Sequence, residues 1–363
     1  MKIGITVNMS VAFWANGMQQ NIVFLYSLLS KLGHDCYYIT QETPKFPVHK
    51  DHKGMVLNDL IADKNEVLDV LIVAGFDLLP EMYKQLKKRN NKLKIILVHY
   101  GNKLMDDMNY AITGVDGDKV PIFPSEYIDE IWTSPHYEYS LGYLRTYYKN
   151  ENVRIAPYIW DSFFVDEKLA AMREKNLDPR FKKSRVNSVC IFEPNKTHSK
   201  TCLIPVMICE RFDQLFDGEL ESVNVFCAEK IRERKYLRLF VKNLKIGQKD
   251  DFIFFNNRWG KLNAFCKFGN TVVSHQIKNE LNYSHLECLY LDMPLIHNCD
   301  MLCDYGYYYN DCDVDMGAKQ LKNAMQNHAS VLPQYRQDSK KLFEKFAIEN
   351  AQNLNDYNAL ING

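Results

Sequence analysis

Short apolar runs rich in valine and isoleucine alternate along the chain with longer segments whose leucines recur every three or four positions. The first spacing suits buried strands and the second suits amphipathic helices. In the N-terminal half, strands are expected at residues 2–7 (KIGITV), 35–40 (DCYYIT), 70–74 (VLIVA), 94–99 (KIILVH), 130–133 (EIWT) and 153–155 (VRI). A helical face made by Ile22, Leu25, Leu28, Leu29 and Leu32 separates the first two strands, and Gly33 is placed to cap it. A second helix is expected at 79–89. Residues 101–125 hold Gly101, Gly114, Gly117, Pro121 and Pro124 and read as a long irregular loop.

The pattern restarts after a charged stretch, 161–185, which reads as a solvated connector. Strands are expected at 186–192, 223–228, 252–256, 271–273 and 295–296. Helices are expected from Leu203 through Phe212, then at 231–244, 283–291, 315–327 and 337–361. Strands alternating with helices argue for the α/β class with parallel sheets.

Composition narrows the function classes. A chain of 363 residues is long for one core, so two domains are expected. Its 45 basic and 45 acidic residues cancel, and no charge block asks for nucleic acid or an anionic membrane surface. No run reaches the roughly 18–20 apolar residues of a membrane span. The N-terminus turns polar too soon for a signal peptide and reads as a first strand. Ten cysteines include no Cys-x-x-Cys pair, and several sit in apolar runs, as free thiols do in a reducing compartment. A cytoplasmic location is therefore expected. Asp311, Asp313 and Asp315 alternate but read as a solvated turn, not a metal site.

Residues 270–298 (NTVVSHQIKNELNYSHLECLYLDMPLIHN) concentrate the candidate chemistry. A strand feeds a polar loop at 274–282, the loop feeds a helix, and Asp292-Met293-Pro294 stops that helix before a second strand. The free N–H groups and partial positive charge of such a helix start suit a phosphate. The carboxyl edge of a parallel sheet is where α/β proteins bind ligands.

This stretch resembles the donor-binding segment of glycosyltransferases with the GT-B fold. Glu287 and Pro294 stand at the spacing of that family's second glutamate and its closing proline, while Glu280 falls one residue short of the first. Leu281-Asn282-Tyr283 replace the glycine-rich turn. The strings SHQ at 274–276, LNY at 281–283, PLIHN at 294–298 and GYYY at 306–309 are similar also to a poorly characterised bacterial and viral glycosyltransferase-like family. The resemblance implies two Rossmann-like domains facing a cleft, with a C-terminal helix returning to the first. The implied boundaries are 1–157 for the acceptor domain, 158–185 for a connector, 186–335 for the donor domain and 336–363 for the returning helix.

It also implies roles for single residues. Glu287 would accept hydrogen bonds from a nucleotide ribose, and the amides near Tyr283 and Ser284 would hold a diphosphate. Lys200 matches the diphosphate lysine, and Glu193 and Asn195 share its loop. No arginine matches the family's second cation, which leaves Lys196 or Arg258 for that place. Trp259 is a candidate stacking surface for the base. His99 ends a strand where retaining relatives carry a histidine near the donor sugar, and His136 follows the next strand. Asn16, Gly17, Gln19 and Gln20 would border the acceptor. The implied activity is glycosyl transfer from a UDP- or GDP-linked sugar to a glycan or other hydroxyl acceptor, without metal or other cofactor and with retention. Two alternatives stand beside it: a nucleotide-sugar epimerase of the same fold, and a non-catalytic nucleotide- or sugar-binding module.

Overall fold

Strand and helix alternate as the apolar pattern requires, and the chain divides into two units. A computed structural model describes residues 1–9, 17–43, 52–63, 67–114, 125–216, 219–279 and 281–363. The first unit comprises Met1–Asp161 and Glu344–Gly363, and the second comprises Ser162–Phe343. Asn16 and Glu280, both named above as candidates, lie outside the described residues.

The first unit runs β1 (Lys2–Thr6), α1 (Gly17–Lys31), β2 (Asp35–Thr40), β3 (Gly54–Val56), α2 (Leu57–Ala62), β4 (Val70–Val73), α3 (Pro80–Arg89), β5 (Lys94–His99), α4 (Lys103–Thr113), β6 (Glu130–Thr133), α5 (Leu141–Tyr148) and β7 (Val153–Ile155). Among the described residues these strands form one parallel sheet, ordered β3-β2-β1-β4-β5-β6-β7. Helices on the faces of a parallel sheet bury both sides of its central strands, so these strands are mostly apolar. Val70–Val73 and Glu130–Thr133 are buried at every position. α1 ends as Gly33 predicts. At φ +85°, Gly33 donates its N–H to Ser30 O, and His34 donates to Leu29 O, which closes the last turn.

The second unit runs α6 (Phe163–Arg173), β8 (Ser188–Ile191), α7 (Leu203–Phe216), β9 (Ser222–Val225), α8 (Lys235–Lys242), β10 (Ile253–Phe255), α9 (Lys261–Lys267), β11 (Thr271–Val273), α10 (Tyr283–Tyr290), β12 (Leu295–His297), β13 (Tyr307–Tyr308) and most of α11 (Val314–Phe346). Its described strands form a second parallel sheet, ordered β10-β9-β8-β11-β12-β13. The strand order reverses between β1 and β4 in the first sheet and between β8 and β11 in the second. Each reversal leaves a crevice at the carboxyl ends of the two strands. The last helix, α12 (Ala351–Asn362), belongs to the first unit, where Tyr357 Oη donates to Pro157 O at 2.8 Å.

Several elements differ from the sequence reading. Residues 101–125 were expected to be irregular, yet Asn102 caps α4 by accepting Met105 N–H on its side chain. The connector expected at 161–185 contains α6, which buries Phe164, Val165, Leu169 and Met172 behind its charged face. The two terminal helices divide at 347–350, not at 328–336, so α11 runs through Pro333. Helix 231–244 shrinks to α8, because residues 229–233 are turns. Among the described residues no helix is long and apolar enough to cross a membrane.

Candidate functional site

The reversal point of the second sheet gathers a buried polar cluster. β8 delivers Glu193 two residues past its end, and β11 delivers Ser274, His275 and Gln276 immediately past its own. All four are buried. Ser274 Oγ donates to Glu193 Oε1 at 2.5 Å, and His275 N–H donates to the same oxygen at 3.2 Å. Gln276 Nε2 donates to Oε2 at 3.0 Å. Burial drives the Glu193 carboxyl up to about 7, against the opposing effects of these hydrogen bonds and the charge of Lys200. A carboxyl held there is part neutral near pH 7. Gln276 Oε1 is buried and has no hydrogen-bond partner.

The network extends to either side of Ser274. Its Oγ also lies 2.9 Å from His285 Nε2. His285 lies in the first turn of α10, so the start of the helix is tied to the end of β11. On the other side, Tyr309 Oη donates to Ser274 O at 3.0 Å. His275 Nδ1 must then donate to Tyr309 Oη across 2.9 Å, which leaves Nε2 as the acceptor, 3.6 Å from Cys312 Sγ. Gln276 and Asn298 exchange hydrogen bonds, N–H to Oδ1 at 3.0 Å and Nδ2 to O at 2.9 Å. The loops after β8, β11 and β12 are thus one hydrogen-bonded body. Sequence reasoning missed Ser274, His275, Gln276, His285, Tyr309 and Asn298. The signal available was the strings SHQ, PLIHN and GYYY, which hold five of these six residues but carried no role for any of them.

The expected donor residues surround this cluster to different degrees. The loop bearing Lys200 closes on the β11 loop through Ile277 N–H to Ser199 O at 2.8 Å. Asn195, at φ +54°, fastens that loop: its Nδ2 donates to Glu193 O at 2.8 Å and its Oδ1 accepts Cys202 N–H at 2.9 Å. Lys196 and Arg258 both lower the pKa of Cys227 against its burial, so both cations lie near the mouths of β9 and β10. Trp259 is partly exposed and stands edge-on to Phe268. Tyr283 is buried and Ser284 half-buried at the start of α10, where the Asn282 side chain makes no capping bond. Glu287 is buried and ion-paired with Lys261 of α9. Lys168 of α6 also feels its charge.

The first-unit candidates gather at the carboxyl edge of its own sheet. His99 is the last residue of β5 and is half-buried, its Nε2 2.8 Å from Tyr148 Oη. Burial, then the charge of Lys103, lowers it to about 4, so it is neutral at pH 7. β5 pairs with β6 in a register that sets His99 opposite Thr133, three residues before His136. His136 packs on the Tyr137 ring at 3.9 Å and edge-on to Tyr158 at 5.9 Å. Gly17 is exposed at the start of α1. Gln19 and Gln20 are buried instead, with Gln19 Nε2 donating to Asn8 O at 2.6 Å.

A cavity of about 360 Å³ lies at the opposite, amino end of β5–β7, lined by Lys87, Lys94, Glu130 and Arg154 among others. Three of its cations are paired internally, Lys87 with Asp129 and both Lys94 and Arg154 with Glu130. That placement and pairing argue against a ligand site. Among the described residues no three His, Cys, Asp or Glu side chains converge as a metal site.

Solved structures share this architecture over nearly the whole chain. A glycosyltransferase from Rickettsia africae covers 99% of this chain and 97% of its own, at 12% identity and a TM-score of 0.58. The Escherichia coli structure described as trehalose-6-phosphate bound with UDP-2-fluoro glucose covers 99% and 98%, at 12% identity and a TM-score of 0.60. HepE from Anabaena, solved in complex with UDP-glucose, covers 99% and 100%, at 8% identity and a TM-score of 0.54. At such identities the likeness is one of fold, and that fold is GT-B, two Rossmann-like domains with a returning C-terminal helix. Comparison with curated proteins gave no significant match. A family model spans residues 3–361, and the chain therefore belongs to the family described as "Protein of unknown function (DUF2827)".

Proposed function

We propose that this chain is a glycosyltransferase whose second unit holds a nucleoside-diphosphate sugar, UDP- or GDP-linked, and transfers the sugar to a glycan or other hydroxyl acceptor. One observation carries the reading: buried Glu193, the Lys200 loop and the start of α10 converge at the reversal point of a parallel sheet. In open α/β sheets that crevice is the ligand site. Solved neighbours of the same fold carry UDP-sugars, which favours a uridine donor over other ligands. The departing diphosphate gains negative charge in the transition state, so a lysine and helix amides aimed at it lower the barrier. Lys200 and the amides at Tyr283 and Ser284 take that role, with Lys196 or Arg258 as the second cation. Neutral Glu193 with Gln276 would hold sugar hydroxyls, and Glu287 would orient the ribose end while paired with Lys261. In the first unit, His99, neutral at pH 7, is the candidate group for sugar positioning under retention or for the base under inversion. The reaction is read as metal-independent.

Thermal shift against UDP, GDP, ADP and CMP tests the site. A ligand at 100 times its dissociation constant stabilises by about 2.7 kcal/mol. UDP or GDP is expected to raise the melting temperature, with the shift lost in Lys200→Ala. Slow release of free sugar from the matching nucleotide sugar then separates an enzyme from a binding module. No shift with any nucleotide would defeat the reading.

A further inference from the structure

We propose that the face built around α8 docks on an anionic lipid membrane. Lys230, Arg232, Arg234, Lys235, Arg238 and Lys242 are all exposed there; of the two acids in 229–242, Glu233 lies 3.8 Å from both Arg232 and Arg238, and Glu229 is the other, which leaves a net excess of four cations. The chain as a whole carries no net charge, so this local excess is concentrated rather than typical. Lys245 and Lys249 belong to the same stretch but turn inward onto buried Asp213, which anchors the segment to the unit.

α8 has three sectors. Leu237 is buried and Val241 half-buried, which fixes the inward side. At about 100° per residue, Leu239, Tyr236 and Phe240 form an adjacent apolar sector. Much of it faces outward, with Tyr236 72% and Leu239 52% exposed. The Tyr236 and Phe240 rings stack at 6.3 Å. Lys235, Arg238 and Lys242 complete the turn as a basic sector. The adjoining β10 segment is joined through Arg232 Nη1 to Asn257 Oδ1 at 3.1 Å and adds partly exposed Phe254 and Trp259.

Apolar side chains flanked by cations are what an interfacial helix needs. The rings and leucines enter the headgroup boundary while lysine and arginine meet lipid phosphates. A stable protein partner would need about 800 Å² per side with a well-packed apolar centre, more than these few side chains offer. The overall charge balance of the sequence conceals this face, because the excess lies in the grouping of residues 230–242.

The test uses the full chain and phosphatidylcholine vesicles with or without about one quarter phosphatidylglycerol. Sedimentation is expected with the anionic vesicles only. Binding should fall at least tenfold between about 0.05 and about 0.5 M salt, where screening becomes short-ranged. Lys235→Glu, Arg238→Glu and Lys242→Glu together should abolish it. Tyr236→Ser with Leu239→Ser keeps every charge and should weaken it about fivefold. These positions are exposed, and circular dichroism verifies that the variants fold. The proposal is overturned if the unaltered protein ignores anionic vesicles at low salt, or if the triple variant binds as well as the parent. It is also overturned if the Ser pair instead converts a dimer to a monomer in sedimentation velocity while vesicles are not bound, since the occupant is then a second copy.

Discussion

A carboxyl buried as fully as Glu193 places strict demands on its neighbours, and substitutions there should separate charge from hydrogen bonding. Glu193→Ala would leave Ser274 Oγ, the His275 N–H and Gln276 Nε2 without their acceptor. Each orphaned buried donor costs about 1–3 kcal/mol, so a loss of at least about 3 kcal/mol is expected in urea denaturation. Glu193→Gln should behave differently. Its amide oxygen can keep Ser274 and His275, and its NH₂ can donate to Gln276 Oε1 once that side chain turns over. Stability within about 1 kcal/mol of the parent at pH 7 is expected; equal losses for Ala and Gln would refute this account of the cluster. The sequence pointed at Glu193 and Lys200 because both follow a recognisable strand. Ser274, His275 and Gln276 escaped because a polar run after a strand reads as solvated. Its burial comes from the loops after β8 and β12, which no local pattern reports.

Elements were legible where their own periodicity decides them and obscure where distant packing does. α1 declared both its apolar stripe and its Gly33 cap. α11 did not: helices were expected at 315–327 and 337–361, yet one helix runs through Pro333 because its turns are held from outside. His328 Nε2 contacts Asp292 O at 2.9 Å, Tyr335 Oη donates to Met293 O at 2.6 Å, and Arg336 pairs with Asp292 at 2.7 Å. Such contacts outweigh the loss of one helical hydrogen bond at proline. Two glycines separate conformational from steric control of these elements. At Gly33 an added Cβ meets nothing within 4 Å, so Gly33→Ala should cost only the left-handed backbone penalty, about 1 kcal/mol. At Gly269, before β11, the same Cβ would lie 2.2 Å from Ser188 O of β8. Gly269→Ala must force apart the two strands that carry Glu193 and Ser274. A loss above about 3 kcal/mol, together with weakened nucleotide binding, is expected there. Equal melting temperatures for the two variants would contradict this distinction.

At the scale of the whole molecule, alternation of strand and helix made the α/β class readable, but the strand orders were not. They depend on pairings such as β1 with β4 and β8 with β11, between segments far apart in sequence. β3 and β13, the short outer strands, gave no pattern of their own. What the assembled fold adds is a set of buried titratable groups with opposite pH effects. Burial lowers His275 and His297 to about 4, while Glu193 rises to about 7. Between about pH 4.5 and 6.5 each of these histidines binds a proton only when unfolded, and Glu193 binds one only when folded. For the second unit the balance of the three is two protons favouring the unfolded state against one favouring the folded state. Stability should therefore fall on acidification through this window by about 1.4 kcal/mol per pH unit, the slope of one net proton. His99, lowered to about 4 in the first unit, adds a loss of the same sign there. Above pH 6.5 the last part of the histidine gain and the loss as Glu193 finishes ionising nearly cancel, so the parent's stability should level off. Glu193→Gln removes that opposing group. For the second unit the variant should lose stability about twice as steeply between pH 6.5 and 4.5, and it should keep gaining stability from pH 6.5 to 8 where the parent is level. Denaturant titrations of parent and variant at matched pH values measure both slopes. Identical slopes would mean that Glu193 does not hold its proton in the folded protein, and the neutral carboxyl assigned to the donor site would go with it.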